Sequence, residues 1–425
     1  MITTTVGPRR SPARAVLLAA VLALLATVSA TADRATAASG PTTADRTVAD
    51  RLRTRFPAAG LGPGGVGEVL DVASGRMVWA AGAGTGRMPA STNKLAVAVA
   101  ALTVLGPDRT ERTSTRYADG TLYLVGAGDQ RLTGGDLRTL AGATAKALAG
   151  RGLAVTTLRF DDSLFPAPTA ATASPGWQPG YYPYDLAPVR ALALTGARVN
   201  DTALAAAQLF AKQLAADGVR LPPAPPVRAA APATAVELAG HTSRPLWEAV
   251  EYMLKVSDNN IAEGLLRLTA LGRHRPPTWQ GGTTAVRAVL AGYRIPLRGV
   301  QLYDGSGLSR QDRMTAAALG ALAALAVDPR YHATLWPLFD GLPVAGKDGT
   351  LAARLHRYST APSRCAAGLV HAKTGTLHDT AALAGVARGR DGRWKAFAFV
   401  ENGRVSVARA RQGLDGLAAT VTGCW

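Results

Sequence analysis

Three short groups of polar residues combine serine hydroxyls with lysine amines. They are Ser91-Thr92-Asn93-Lys94, Ser257-Asp258-Asn259 and Lys373-Thr374-Gly375. A serine hydroxyl attacks a carbonyl readily only when a nearby base takes its proton, and a lysine can be that base once its amine is neutral. The chain has only seven lysines, and two of them lie in these groups. We therefore interpret the three groups as parts of one nucleophilic site.

The first group supplies the nucleophile and its base. An apolar helical pattern begins just after Ser91 and runs through Lys94 to Leu105. The positive end of a helix dipole stabilises negative charge that develops on a serine placed there. Lys94 lies one turn along the same face, and its pKa must fall from about 10.4 towards 7 for it to act as base. Burial and a second cation, for which Lys373 is the candidate, can lower it. The alternative is that Ser91 is only a helix N-cap.

The other two groups are predicted to transfer a proton and to bind substrate. Ser257 can pass a proton to a leaving amine, and Asn259 can hold a substrate amide. The third group lies in a strand pattern that contains Lys373, Thr374, Gly375 and Thr376. Its glycine indicates close approach by another backbone, which we interpret as substrate paired along the strand edge, and its threonines and lysine charge suit a free carboxylate. Taken singly, the second group is also typical of a polar turn, and the third of a bulge with an exposed lysine.

Helix and strand patterns at both chain ends indicate the scaffold. Helical patterns cover Thr43 to Phe56, Ala203 to Ala216, Leu246 to Val256, Ile261 to Leu268 and Val405 to Val421. Strand patterns cover Val66 to Val72, Arg76 to Ala80, Gly368 to Leu377, Ala381 to Ala387 and Trp394 to Val400, with further strand signals between residues 107 and 162. We predict one antiparallel sheet built from both ends of the chain and flanked by helices, an α+β fold. The proline-rich stretch at residues 222–226 is a candidate boundary.

Composition excludes several classes of protein. The chain has 425 residues, of which 48% are hydrophobic and 18% charged, so it is too apolar to be disordered. Its two cysteines are too few for a zinc ribbon or an iron–sulfur site, and its six histidines show no zinc-binding spacing. We therefore expect no metal and no cofactor. The formal net charge of +18 comes from scattered arginines, which argues against nucleic-acid binding and leaves coding bias or association with an anionic wall or membrane surface.

The N-terminus has the pattern of an export signal. Three arginines precede an apolar run from Ala15 to Val28, and Ala30-Thr31-Ala32 is a cleavage pattern. We predict a signal peptide at residues 1–32 and a secreted, wall-associated protein; a retained membrane anchor is the alternative. In an oxidising compartment Cys365 and Cys424 can form a disulfide, since both lie near the C-terminal sheet and its helix, although two unpaired thiols remain the alternative.

The three groups together are a set found in penicillin-binding proteins and class A β-lactamases. Further segments are similar to the type-4 (class C low-molecular-mass) penicillin-binding proteins, which are serine-type D-alanyl-D-alanine carboxypeptidases and endopeptidases. These segments are Tyr123 to Asp129, Asp161 to Phe165, Thr242 to Leu246, Met253 to Glu263, Asp304 to Arg310 and Leu342 to Gly346. The resemblance extends from about Thr43 to the C-terminus.

This resemblance implies a transpeptidase-like domain interrupted by an insertion. The catalytic domain would comprise residues 33–108 and 236–425, and the inserted domain, residues 109–235, is shorter than the family pattern. It also implies site residues: Ser91, Lys94 and Ser257 as catalytic, and Asn259, Lys373, Thr374, Gly375 and Thr376 as substrate-binding. The expected substrate is a peptidoglycan stem peptide, with β-lactams as covalent inhibitors and no nucleic-acid partner.

Two rival functions share these groups of residues. A class A β-lactamase activates water with a glutamate downstream of its second motif, whereas no glutamate lies between Glu263 and Glu401 here. The second rival is a catalytically idle module that binds penicillin or the wall, and the intact set of motifs argues against it.

Overall fold

A computed structural model describes residues 40–168, 174–403 and 406–425. The predicted signal segment, residues 1–32, and the predicted first residue of the last helix, Val405, lie outside the described residues. Within the described ranges, no helix has both the length and the apolar character that crossing a membrane requires. The same ranges contain no cluster of three or more histidine, cysteine or acidic residues suited to a metal ion.

Strands and helices match most of the predicted patterns. The strands are β1 (Val66–Asp71), β2 (Arg76–Ala81), β3 (Arg112–Ala118), β4 (Thr121–Val125), β5 (Thr157–Asp161), β6 (Val227–Arg228), β7 (Val236–Thr242), β8 (Val370–Leu377), β9 (Thr380–Arg388) and β10 (Trp394–Asn402). The helices are α1 (Thr43–Ala58), α2 (Lys94–Leu105), α3 (Gly134–Gly150), α4 (Thr202–Ala216), α5 (Leu246–Val256), α6 (Asn259–Gly272), α7 (Trp279–Gly292), α8 (Ala316–Ala324), α9 (His332–Gly341) and α10 (Val407–Thr422).

The first sheet joins both ends of the chain, which confirms the prediction. Its order is β2-β1-β10-β9-β8, and every neighbouring pair is antiparallel. Side chains alternate between two cores, because successive residues of a strand point to opposite faces: Leu383 packs in the core with α1 and α10, whereas Ala382 and Ala384 pack in the core with α2 and α8. Helices therefore cover both faces, and β8 lies at the sheet edge.

α2 is the central helix of the catalytic half. Its residues from Lys94 to Leu102 are all buried. A helix that is apolar all round must be enclosed on every side, and α2 packs against α5, α6, α7, α8 and α9. This enclosure places the amine of Lys94 in the protein interior.

A second sheet lies between the first two groups of site residues in the chain. Its order is β6-β5-β4-β3-β7, with parallel pairing of β4, β5 and β6 and antiparallel pairing of β3 with β4 and β7. α3 and α4 cover it with a separate apolar core. The prediction returns the chain to the catalytic domain at residue 236, but β7 pairs with β3 of this second sheet. We therefore propose that the insertion continues to about Thr242, past the proline-rich stretch that the sequence offered as a boundary.

α3 lies between residues 107 and 162, where the sequence predicted only strands. Thr133 caps the helix reciprocally with Asp136, a capping box, and Leu137, Leu140, Ala141 and Leu148 form its buried face. Both signals are present in the sequence at helical spacing, so this helix could have been predicted.

Cys365 and Cys424 form a disulfide, as predicted. Cys365 lies in the turn Ser363–Ala366, and Cys424 follows the end of α10, so the bond ties that helix to the segment before β8. The two Cα atoms are 5.9 Å apart, and the residues are 59 positions apart in the chain.

Replacing both cysteines by alanine should destabilise the protein by about 4 kcal/mol, because a loop of this length loses conformational entropy in the unfolded chain when it is closed. The free energy of unfolding is measured in urea for the wild type and the double variant. Reduced wild type is the matched control and should resemble the variant. Equal unfolding free energies for the oxidised wild type and the double variant would show that the disulfide does not stabilise the protein.

Candidate active site

Ser91 lies in a 3₁₀ turn, Ala90–Asn93, that leads directly into α2. Ala90 has a φ of +46°, a conformation that is uncommon for a residue with a side chain. The turn packs against Gly307, where a Cβ atom would lie only 1.9 Å from the Ala90 carbonyl oxygen. Since Asn93 occupies the N-cap position of α2, Ser91 is not the cap of that helix.

Lys94 is fully buried beside this hydroxyl. Its Nζ lies 2.8 Å from Ser91 Oγ, 2.7 Å from Asn259 Oδ1 and 2.7 Å from the Ser306 carbonyl oxygen. A neutral amine has two hydrogens and one lone pair. The amide and carbonyl oxygens can only accept hydrogen bonds, so they take the two hydrogens. The lone pair then points at the Ser91 hydroxyl, which is the geometry that a general base requires.

The electrostatic environment favours the neutral form of this amine. Burial lowers the pKa of Lys94 to about 8, although the carboxylates of Asp304, Asp258 and Glu263 oppose the shift. Burial and then the charge of Lys94 lower the pKa of Lys373 well below its ordinary value. Burial is thus the main cause of the lowered pKa of Lys94, and the repulsion between the two amines lowers the pKa of Lys373.

The second group forms a turn between two helices and contributes two contacts to the site. Ser257 ends α5 in the left-handed conformation, with φ of +66°, and Asp258 caps α6 by accepting from the Ile261 amide at 2.8 Å. This turn brings Ser257 Oγ to 2.9 Å from Lys373 Nζ. It also places Asn259 at the start of α6, where its Oδ1 accepts from Lys94. The second group therefore does form a polar turn, and this turn positions the side chains of Ser257 and Asn259.

The third group lies on the edge strand β8, where its residues face different neighbours. Lys373 is fully buried, so it is not an exposed lysine on a bulge; besides Ser257, its amine donates to the Thr374 carbonyl at 2.9 Å. Thr376 Oγ1 accepts from the Arg411 guanidinium at 3.0 Å. At Gly375 a Cβ atom would lie 2.4 Å from the Pro89 carbonyl oxygen. The close approach predicted there is therefore made by the protein's own chain beside Ser91.

A cleft of about 440 Å³ opens over Ser91 and Ser257. Its other lining residues are Thr350, Arg354, Leu355, His356, Arg357, Thr374, Thr376 and Arg411. This lining includes three arginines and no carboxylate; Arg357 is paired with Asp415 behind the cleft wall, and the charges of Arg354 and Arg411 suit an anionic ligand. Lys373, predicted from the sequence to bind a ligand carboxylate, lies below this cleft with its Nζ 2.9 Å from Ser257 Oγ, and its role in binding stays a prediction.

Several groups that complete the site are absent from the sequence prediction. The Asp185 carbonyl accepts from Asn259 Nδ2 at 2.8 Å, Thr350 Oγ1 accepts from Thr374 Oγ1 at 2.8 Å, and Ser306 contributes only its carbonyl. Every residue has a carbonyl oxygen, so the residue type does not indicate which carbonyl oxygens accept hydrogen bonds in the site. Arg411 lies one turn into a helix that the sequence did predict, but its position over β8 depends on tertiary packing.

Comparisons with known proteins find similarity over most of the chain. The profile of the D-Ala-D-Ala carboxypeptidase 3 (S13) family matches residues 60–199 and 186–422. A carboxypeptidase of Mycobacterium tuberculosis is 35% identical over 383 residues, covering 84% of this chain and 80% of the relative. A D-alanyl-D-alanine carboxypeptidase of an Actinomadura strain is 29% identical over 433 residues, covering 80% and 78%. The structure is similar in fold to penicillin-binding protein 4 of Haemophilus influenzae, with a TM-score of 0.73, 22% identity, and coverage of 88% of this chain and 99% of that one.

The rate of acylation of Ser91 by a penicillin should rise with pH through about 8, the pKa of Lys94, and level off above it. Below that pKa the amine is protonated and has no lone pair to accept the serine proton. Stopped-flow acylation with a fluorescent penicillin, measured from about pH 5 to about pH 10, gives the profile. A rate that is independent of pH across this range would exclude Lys94 as the base.

Proposed function

Because the chain belongs to the D-Ala-D-Ala carboxypeptidase 3 (S13) family, we propose that it removes the terminal D-alanine from peptidoglycan stem peptides through an acyl-enzyme on Ser91. The observation that carries the proposal is the contact of Lys94 Nζ with Ser91 Oγ at 2.8 Å. The two hydrogens of the neutral amine are accepted by Asn259 Oδ1 and the Ser306 carbonyl oxygen, which leaves the lone pair for the serine hydroxyl. This arrangement supports an active enzyme over an idle penicillin-binding module.

In acylation, the proton of Ser91 Oγ moves to Lys94 as the oxygen attacks the carbonyl carbon of the penultimate D-alanine. The C–N bond to the terminal D-alanine then breaks, and its nitrogen needs a proton. Ser257 Oγ, 2.9 Å from Lys373 Nζ, is the proposed donor, and the proton that Lys94 took from Ser91 replaces the one that Ser257 gives, so that Lys94 is neutral again. Water hydrolyses the resulting ester after the free D-alanine leaves, and Ser91 regains its proton.

The electropositive cleft supports binding of the free terminal carboxylate of the peptide. Thr374 and Thr376 line the cleft with Arg411, which already donates to Thr376 Oγ1. Substrate would lie along the outer edge of β8. Near the start of β8 the outer edge already has a hydrogen-bond partner within the protein, since the Ala372 amide donates to the Pro343 carbonyl at 2.9 Å. Among the described residues, no strand pairs with the outer edge beyond Lys373, so this part is open for a peptide.

Endopeptidase action uses the same acyl chemistry with a different leaving amine, that of a second, cross-linked peptide. We include it in the proposed function, and the substrate decides between the two activities. Products from a D-Ala-D-Ala pentapeptide and from a cross-linked muropeptide, identified by mass, measure each activity separately.

The site of action that we propose is outside the cytoplasm. The export pattern in residues 1–32 and the disulfide between Cys365 and Cys424 both support secretion, because structural disulfides persist in oxidising compartments. The net charge of +18 supports electrostatic association with an anionic cell wall.

The Ser91→Ala variant should neither release D-alanine from the pentapeptide nor form a penicillin adduct, because the attacking oxygen is removed. Mass spectrometry of the labelled protein and of the peptide products measures both. Ser163→Ala, which changes an exposed serine of the insertion, is the matched control and should behave as wild type. A covalent penicillin adduct retained by Ser91→Ala would falsify the assignment of the nucleophile.

Penicillin should acylate the wild type rapidly and leave it over minutes to hours, a barrier of roughly 20–23 kcal/mol. The tethered leaving amine of a β-lactam stays in the cleft, and no carboxylate lines the cleft to activate water. The peptide acyl-enzyme, whose leaving D-alanine departs, should be hydrolysed on a scale of seconds. Stopped-flow acylation followed by a chase with unlabelled penicillin measures both steps. Release of penicillin at about 10 per second would replace this function with that of a β-lactamase.

A further inference from the structure

Glu263 is a buried carboxylate that none of the proposed chemical steps uses. It lies one turn after Asn259 on α6, and its side chain has no exposure to solvent. Its Oε1 accepts from the amides of Gly305 and Ser306 at 3.0 and 2.7 Å. Its Oε2 accepts from Trp279 Nε1 at 3.0 Å.

The turn held by this carboxylate supplies one of the contacts of Lys94. The Ser306 carbonyl oxygen lies 2.7 Å from Lys94 Nζ. The peptide group that contains this oxygen also contains the Gly307 amide, which donates to Asp304 Oδ1 at 2.7 Å. Glu263 therefore fixes the peptide group before Ser306, and Asp304 fixes the one after it. Together the two carboxylates hold the Ser306 carbonyl in an orientation that points to the Lys94 amine.

We propose that Glu263 is a positioning residue: through the backbone of Ser306 it sets the direction of the Lys94 lone pair towards Ser91. The inference rests on the proposed function, since the direction of a lone pair matters only if Lys94 acts as base. If the Ser306 carbonyl moved away, the neutral amine could rotate about its last bond, and its lone pair would no longer be held on Ser91. A misplacement of about 1 Å in a reacting group can reduce a rate on the order of 10²-fold.

Charge gives Glu263 a second effect on the same amine. Its negative charge raises the pKa of Lys94, as do those of Asp304 and Asp258, while the second amine nearby, Lys373, has a pKa lowered by burial and by the charge of Lys94. The groups that face Glu263 itself are Asp304, Arg267, Asp312 and Tyr182. Its hydrogen-bond partners are all donors, so the ionised form fits this site, although burial raises the pKa of the carboxyl group.

The Glu263→Gln variant separates positioning from a loss of structure. We expect the acylation rate at high pH, where Lys94 is neutral, to fall at least about tenfold. We also expect the pH midpoint of acylation to move below that of wild type, because a negative charge and a held acceptor beside the amine are lost. General loosening of the site would admit water and move the midpoint up, towards the ordinary pKa of lysine. A midpoint that moves up, or a rate equal to that of wild type, overturns the proposal.

Glu401→Gln is the matched control, because Glu401 is also a buried glutamate but lies on β10, facing Asp379 and Arg87. It should leave both the rate and the midpoint unchanged. If Glu263→Gln does not fold, the Trp279→Phe variant tests the positioning role instead. That variant keeps the charge and removes one hydrogen bond to Oε2, so the high-pH rate should fall severalfold with the midpoint unchanged. An unchanged rate in folded Trp279→Phe would then overturn the proposal.

A measurement that needs no reaction separates this inference from the proposed function. The chain has only seven lysines, so NMR of isotopically labelled lysine side chains can follow the titration of Lys94 directly. In Glu263→Gln its pKa should be lower than in wild type, whether or not penicillin acylates the protein. Wild type that fails to react refutes the proposed function. In a wild type that does react, a high-pH acylation rate that Glu263→Gln leaves unchanged refutes only the positioning role.

Discussion

Burial of the Lys94 amine is the constraint on which the rest of the site depends. An amine enclosed in an apolar helix core is costly unless its hydrogens are bonded, and its charged form is costlier still. Three oxygen atoms surround it, and each comes from a different part of the chain: the turn before α2, the start of α6, and the turn at Ser306. The fold must therefore bring three distant segments to one nitrogen atom. Lys373, buried close by, adds a further condition, because two charged amines repel one another in so dry a site.

The cleft above this amine is held from the other end of the chain. Arg411, early in α10, reaches Thr376 on β8. One turn later Asp415 accepts from Arg357 of the cleft wall at 2.8 Å, an ion pair that is almost wholly buried. Beyond the helix, Cys424 is bonded to Cys365. The last helix thus fixes the edge strand, the wall and the segment between them, which explains how the short 3₁₀ turns Gly349–Leu351 and Ala353–Leu355 can form one side of the cleft.

The sequence predicts this site more completely than it predicts the elements around it. Ser91, Lys94, Ser257, Asn259 and Lys373 are identifiable because their side-chain types are rare or specific at those spacings, and the structure joins them by contacts of 2.7–2.9 Å. The antiparallel sheet follows from alternating strands at both ends. The Ser306 carbonyl and the Pro89 carbonyl beside Gly375 could not be predicted, since backbone atoms carry no signature of residue type. The direction of the Lys373 amine depends on which neighbour buries it, and this is a property of packing.

The chain enters and leaves the second sheet at neighbouring positions. The chain leaves through Arg112 on β3 and returns through Thr242 on β7, and these two residues are paired. Next to them the Ser243 amide donates to the Glu111 carbonyl at 2.8 Å, and the Leu246 amide to that of Arg109 at 2.8 Å. Because exit and return are hydrogen-bonded neighbours, α2 and α6 can pack directly on one another although the second sheet separates them in the chain. The contact between Lys94 and Asn259 depends on the packing of these two helices, and the segment between exit and return adds the Asp185 carbonyl, which accepts from Asn259 Nδ2 at 2.8 Å.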